Sequence, residues 1–164
     1  MINFLPENYK KPDTSDYLKL KDGENTFRIL SSAVVGFKYW TEENKPVRTK
    51  KSILSKPDNI KIEKDGGFRI QHFWAFLVLS EETGKVQVLE ITQSSIRDGI
   101  KALIDNKKWG DPKGAKEGYD ITITRSGEGL DTSYVVMPNP HSEIELSAVG
   151  QIRVNSADLE ALYE

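Results

Sequence analysis

The chain has no cysteine. Disulfides, thiolate-held zinc, iron–sulfur clusters and thiol nucleophiles are therefore excluded together. Histidine is almost as scarce: His72 and His141 are the only imidazoles, too few for a histidine-rich metal centre. No apolar run approaches the roughly 18–20 residues that a helix needs to cross a bilayer, so no membrane partner is expected. The opening MINFLPENYKK has no basic stretch followed by an apolar one, so no signal peptide is read there. The expected compartment is the cytoplasm. Also missing are a Gly-rich phosphate loop, G-x-S-x-G, H-E-x-x-H and an Asp/Asn series spaced like a calcium loop. Glu90, Asp98 and Asp120 could converge on a metal ion as in a small nuclease, but nothing in their spacing singles them out. The expectation is a protein without catalysis, metal or cofactor.

What is present is a chain of 164 residues, long enough for one domain with a real core. The net charge of −2 hides a gradient. From Phe37 to His72 there are nine Lys or Arg against five Asp or Glu. From Lys101 to Lys116 there are five Lys against two Asp. From His141 to Glu164 one Arg stands against five acids. A polyanion meets the local field rather than the global sum, so two basic segments beside an acidic end keep a nucleic-acid partner in play.

Periodicity divides the chain into an arm over 1–16, a domain over 17–140 and an acidic segment over 141–164. Asn25 to Trp40 reads as one long strand, with Phe27, Ile29, Ala33, Val35, Phe37 and Tyr39 in one phase and Arg28 and Lys38 in the other. On that phase Phe37 is a core residue, and Gly36 marks a bulge. Residues 41–67 are a long Lys-rich loop with room for a short hairpin. Phe68 to Ser80 is a central strand covered on both faces, with Phe73 and Trp74 pointing opposite ways. Glu81 to Gly84 is a turn, and Lys85 to Thr92 the return strand. Ile96, Ile100, Leu103 and Ile104 recur at helical spacing behind a cap at Ser94 or Ser95. Tyr119 to Arg125 alternates cleanly, and Thr132 to Met137 follows as a fifth strand after a hairpin loop. Ser156 caps a short terminal helix with Leu159 and Leu162 on one side.

Three strands, one helix and two strands is the element order of a five-stranded OB-type antiparallel β-barrel, mainly all-β, with one helix between strands 3 and 4 and a short C-terminal helix. Its binding surface is built on strands 2–3 and on the 1–2 and 4–5 loops. Here the 1–2 loop is the basic one. A generic antiparallel barrel or sandwich is the other architecture open to this pattern.

Sequence-tolerant single-strand binders combine aromatic platforms with a basic groove, because every base has a π-face and every nucleotide a phosphate. Phe37-Lys38-Tyr39-Trp40 puts three rings and a cation in four residues. Lys45, Arg48, Lys50 and Lys51 follow at once. The expected DNA-binding residues are Lys38, Tyr39, Trp40, Lys45, Arg48, Lys50 and Lys51, then Arg69, His72 and Trp74 on the second strand, and Arg125 and Tyr134 flanking the 4–5 hairpin. Trp109 is expected to plug one end of the barrel. The acidic end has two physical uses: occupying the groove when DNA is absent, or docking a basic partner once DNA displaces it. A structural helix pinned to the barrel by Leu159 and Leu162 is the other reading of that segment.

Tyr17-Leu18-Lys19-Leu20, Gly23-Glu24-Asn25 and Phe27-Arg28-Ile29-Leu30 resemble the opening of single-stranded DNA-binding proteins from tailed bacteriophages. So does the tract from Lys108 to Pro138, through KWG-D-P, YDITITR and SGEGLDTSYVVMP. The likeness spans roughly residues 5–140. It implies an OB fold, coating and protection of single-stranded DNA, and roles in phage replication and recombination within the host cytoplasm. It also implies DNA contacts at Tyr39, Trp40, Arg48 and Trp74. Some members hold zinc through Cys and His, a feature this chain lacks. Many end in an acidic tail that recruits replication proteins, a role the C-terminus here would share. A protein-interaction module that uses the same scaffold without nucleic acid is the competing function, and a small metal-dependent nuclease the third.

Overall fold

The computed structural model describes Phe4 and residues 17–163. Apart from Phe4, the expected N-terminal arm lies outside the described residues. The described part is mainly β. It holds seven strands in one antiparallel sheet: β1 (Gly23–Ile29), β2 (Val34–Trp40), β3 (Pro46–Thr49), β4 (Gln71–Ser80), β5 (Val86–Ile91), β6 (Tyr119–Ser126) and β7 (Ser133–His141). Two α-helices accompany them, α1 (Ser94–Asp105) and α2 (Ala148–Ser156), with 3₁₀ turns at Gly129–Asp131 and Leu159–Tyr163.

The hydrogen-bonded order is β3-β2-β4-β1-β6-β7, with β5 on the other edge of β4. Among the described residues no pairing joins β5 to β7, so the sheet is not closed by its own ladder. Helix α1 packs on β7. Gly99 permits the approach, because a Cβ there would press into Val136 at 2.8 Å.

The long strand expected over 25–40 is two strands, and the break is a bulge. Ile29 pairs with Val78 and Val34 with Ala75, so five steps along one chain face three along the other. Inside the bulge the Ser31 hydroxyl accepts the Leu77 N–H at 2.9 Å, replacing a lost ladder partner. Two residues are inserted, an even number, so side-chain alternation keeps its phase across the break. Phe27 and Ile29 before it, and Val35, Phe37 and Tyr39 after it, therefore share a face.

On that face lies the core: Phe27 and Ile29 of β1, Phe76 and Val78 of β4, Leu89 and Ile91 of β5, Ile96 and Ile100 of α1, and Tyr119, Ile121 and Ile123 of β6. Burial of each such side chain contributes about 1.5–3 kcal/mol. Trp109 packs against this cluster and stacks on His141 at 5.9 Å. On the opposite face of β1, Arg28 is 1% exposed. It donates to Asp120 at 2.9 Å, Ser142 at 2.7 Å and the carbonyls of Gly114 and Ala115. Its five-donor fork fastens two connecting segments to the sheet.

The C-terminal elements differ from expectation. Ser156 ends α2 rather than capping a helix, and the cap is Ser147, whose hydroxyl accepts the Gly150 N–H at 3.0 Å. Helix α1 is capped at Gln93 with no side-chain bond, not at Ser94 or Ser95, which are its first residues. β7 runs on through Pro138 and Pro140, which an edge strand tolerates because its outer N–H groups need no partner.

Candidate nucleic-acid interface

Beyond the bulge, β2, β3 and the first half of β4 extend past the core as a blade. Pairing fixes which residues share a face: Phe37 opposes His72 and Thr49, Lys38 opposes Gln71 and Arg48, and Val35 opposes Trp74. The expected site residues are thus divided between two sides.

The inner face continues the core side. It carries Tyr39, Phe37, His72 and Trp74, all half-buried, and Val35, which is 49% exposed. Phe37 was expected in the core. It instead lies past it, with its ring 5.0 Å from that of His72. The His72 Nδ1 meets the Gly36 carbonyl at 2.8 Å, and the Tyr39 hydroxyl donates to Asn59 at 3.1 Å. Four aromatic rings are held at strand spacing with part of each open to water.

The outer face carries an ionic group that no local pattern announces. Glu90 of β5 accepts from Arg48 Nε at 2.7 Å and from Lys38 Nζ. All three side chains are nearly buried, so Lys38 and Arg48 are not the free cations their place in the sequence suggests. Burial alone would push the Glu90 carboxyl up; the hydrogen bonds and charges of Arg48 and Lys38 outweigh it and hold the group below the ordinary carboxylate value. Two cations share one carboxylate, which leaves the cluster net positive. Trp40 stands beside it, 42% exposed, with Lys38 Nζ 5.1 Å from its ring centre. A cleft of about 100 Å³ opens at Trp40, lined by Lys61, Glu63, Arg69 and Gln71. Arg69 and Lys61 are exposed there.

The rest of the outer face is covered by the chain's own C-terminus. Phe73, fully buried, lies 6.1 Å from the Tyr163 ring. The Tyr163 hydroxyl donates to the Val35 carbonyl at 2.5 Å. Lys50 meets Glu160 at 2.5 Å and lies over the Tyr163 ring. The hydrogen bond and charge of Glu160 raise the Lys50 pKa. Gly36 lets β3 pass close by, since a Cβ there would collide with the Thr49 carbonyl and press on Phe73. Leu159 and Leu162 line a hollow with Leu77 and Val88 of the same sheet face.

Lys45 and Lys51 are exposed on the loop side, Lys45 with Glu43 at 3.7 Å. Arg125 and Tyr134 are not gathered with the others. They lie on the β6–β7 hairpin, Arg125 near Asp22 at 3.7 Å and Tyr134 packed against the core. Among the described residues no three His, Asp or Glu side chains form a group that could hold a metal ion, and Glu90 is committed to its two cations. Among the described residues no helix is long and apolar enough to cross a membrane.

Sequence reasoning named Glu90 only with Asp98 and Asp120, as carboxylates that could converge on a metal ion, and missed its partnership, because its cations lie on β2 and β3, two and three strands away. The single available signal was a charged residue between Leu89 and Ile91 in a buried strand. No family model matches the chain, and no curated protein matches it.

Proposed function

We propose that the protein is a sequence-tolerant single-stranded DNA-binding protein that coats and protects the strand, and that the blade of β2, β3 and β4 is its contact surface. The observation that carries this reading is the row of four half-exposed rings at the root of the most basic segment of the chain. Stacking on such a row contributes about 1–3 kcal/mol per base without regard to sequence. Exposed Lys45, Lys51, Lys61 and Arg69 along the blade supply phosphate contacts, and Trp40 offers a further platform on the outer side.

The architecture supports the same reading as an OB-type barrel. In it β1 and β2 are one bulged first strand, β4 and β5 are the second and third, and α1 precedes β6 and β7 as the fourth and fifth. The pairings β1–β6, β4–β5 and β6–β7 agree with that assignment. Helix α1 packs on β7, the last strand of that order. By analogy with the tailed-phage proteins it resembles, the role proposed for this activity is in DNA replication and recombination, with the acidic C-terminal segment as the proposed contact for partner proteins.

The test is a titration with fluorescent oligo-dT against the matching duplex. Preference for the single strand is expected, with log K falling against log salt at a slope of about −2 to −3.5, as for about three to five neutralised phosphates. Equal affinity for duplex, or a flat salt response, sinks the reading in favour of a protein-interaction module. Turnover of the oligonucleotide on adding a divalent ion would favour a nuclease.

A further inference from the structure

The inner-face row does not end at Trp74. Behind that ring is a cavity of about 300 Å³, between the bulge and the last turns of α1. Its floor and walls are apolar: Trp74 and Phe76 of β4, Ile29 of β1, and Ile100 and Ile104 of α1. Its mouth is polar, with Ser31 and Ser32 on one side and Asp111 and Lys113 on the other. Lys113 Nζ reaches Ser32 Oγ at 3.2 Å, spanning the mouth. Ile104 continues the apolar stripe of α1 yet remains 44% exposed, because it faces this opening.

We infer that this cavity receives one base of the bound strand, as a planar heterocycle stacked on Trp74 with its phosphate at Lys113. The inference rests on the single-strand reading above. Size is the first argument, since the volume is at the small end of ligand sites and suits one ring system. Chemistry is the second. An aromatic wall takes a π-face, Asp111 at the rim can accept from an exocyclic amino group, and Lys113 is an exposed cation beside it. Continuity is the third. His72 and Trp74 are two residues apart on one strand face, so a strand stacked along the row arrives at the mouth with its next base.

The experiment uses the full chain and a single-stranded oligonucleotide with 5-iodouracil in place of thymine, a base that couples on irradiation to an aromatic ring beside it. Mass mapping is expected to find an adduct on Trp74. Ala33 and Ile104 both line the cavity and are exposed, so Ala33→Leu and Ile104→Phe each fill it from outside and leave the buried Ile100 untouched. Each is expected to reduce the Trp74 adduct and to weaken the strand about fivefold or more, the worth of one stacked base. A strand that binds tightly but labels only elsewhere, or a Trp74 adduct indifferent to both substitutions, overturns the cavity while leaving the single-strand reading intact. Failure of the wild-type chain to bind the oligonucleotide at all removes both.

Discussion

Glu160 meets Lys50 at 2.5 Å, so an acid from the last turn of the chain sits on a cation of the basic loop. The pair is open to solvent, and its strength depends on ionic strength. Its neighbour Tyr163 seals Phe73. The terminal segment therefore does two separable things: it neutralises an exposed cation of the basic segment and it covers an apolar side chain.

Those roles come apart on substitution. Glu160→Gln is expected to leave the melting temperature nearly unchanged and to tighten single-strand binding at low salt. The gain should vanish toward about 1 M salt, where the Debye length is about 3 Å. Deleting residues 157–164 should give the same gain and also lower the melting temperature, because Phe73 is uncovered. Melting and affinity measured on both variants decide the matter. A destabilised truncation with no gain in affinity, and a silent Glu160→Gln, would make the segment purely structural.

Glu90→Gln should destabilise the fold by about 3 kcal/mol, since it leaves Lys38 and Arg48 facing each other nearly buried. The effect has a defined pH dependence. Because the folded carboxyl titrates below its unfolded value, its contribution is complete above the ordinary carboxylate range and is lost as pH falls through the lower folded value. The stability gap between wild type and variant should thus be constant near neutrality and close as the pH drops below about 4.3. Denaturant unfolding across that range measures it, and a gap independent of pH would contradict the assignment.

Arg48→Ala and Lys51→Ala should behave differently, although both remove a cation of the same basic segment. Arg48 is held by Glu90, so its loss is expected to cost stability and to change the salt slope little. Lys51 is exposed, and its loss should leave stability alone and flatten the slope by about 0.7 if it contacts one phosphate. Trp40→Ala should weaken binding by about 1–3 kcal/mol at an unchanged slope. Parallel salt titrations of the three variants separate charge from stacking.

Arg28→Ala should cost about 3 kcal/mol of stability, and Arg28→Lys should recover only part of it, because an ammonium cannot reproduce a guanidinium fork that serves four acceptors. Folded Arg28→Ala should also bind single strands more weakly than wild type, because Arg28 holds the Gly114 and Ala115 carbonyls of the connection that carries Asp111 and Lys113. Wild-type affinity in a fully folded sample would mean that the 111–118 connection lies outside the contact surface.

Much of this fold was legible in the sequence because local alternation and core burial agree. Ile96 and Ile100 at helical spacing are buried in α1, and Ile121 and Ile123 alternate into the core of β6. The phase of Val35, Phe37 and Tyr39 was also legible, but their depth was not. Phase says which way a side chain points, while burial depends on whether an opposing element reaches that far, and α1 does not. The least legible part was the outer face. Gly36 reads as a bulge and Lys38 as a free cation, yet Gly36 pairs in register with Phe73 and both residues are buried by β3, β5 and the C-terminal segment. Helix α2 was hidden by a weak apolar stripe, since Val149 and Ile152 face water and Gly150 faces the sheet.

The two-residue bulge at 30–33 sets a rule of parity for how this chain can vary in length. Adding or removing two residues there would lengthen or shorten the neck and leave each face of the blade as it is. Adding or removing one would turn the blade over, sending Lys38 toward the rings and Phe37 toward Glu90. Length variation among relatives of this chain should accordingly be even at this point, and a single-residue deletion at Ser32 should be far more damaging than the loss of Ser31 and Ser32 together.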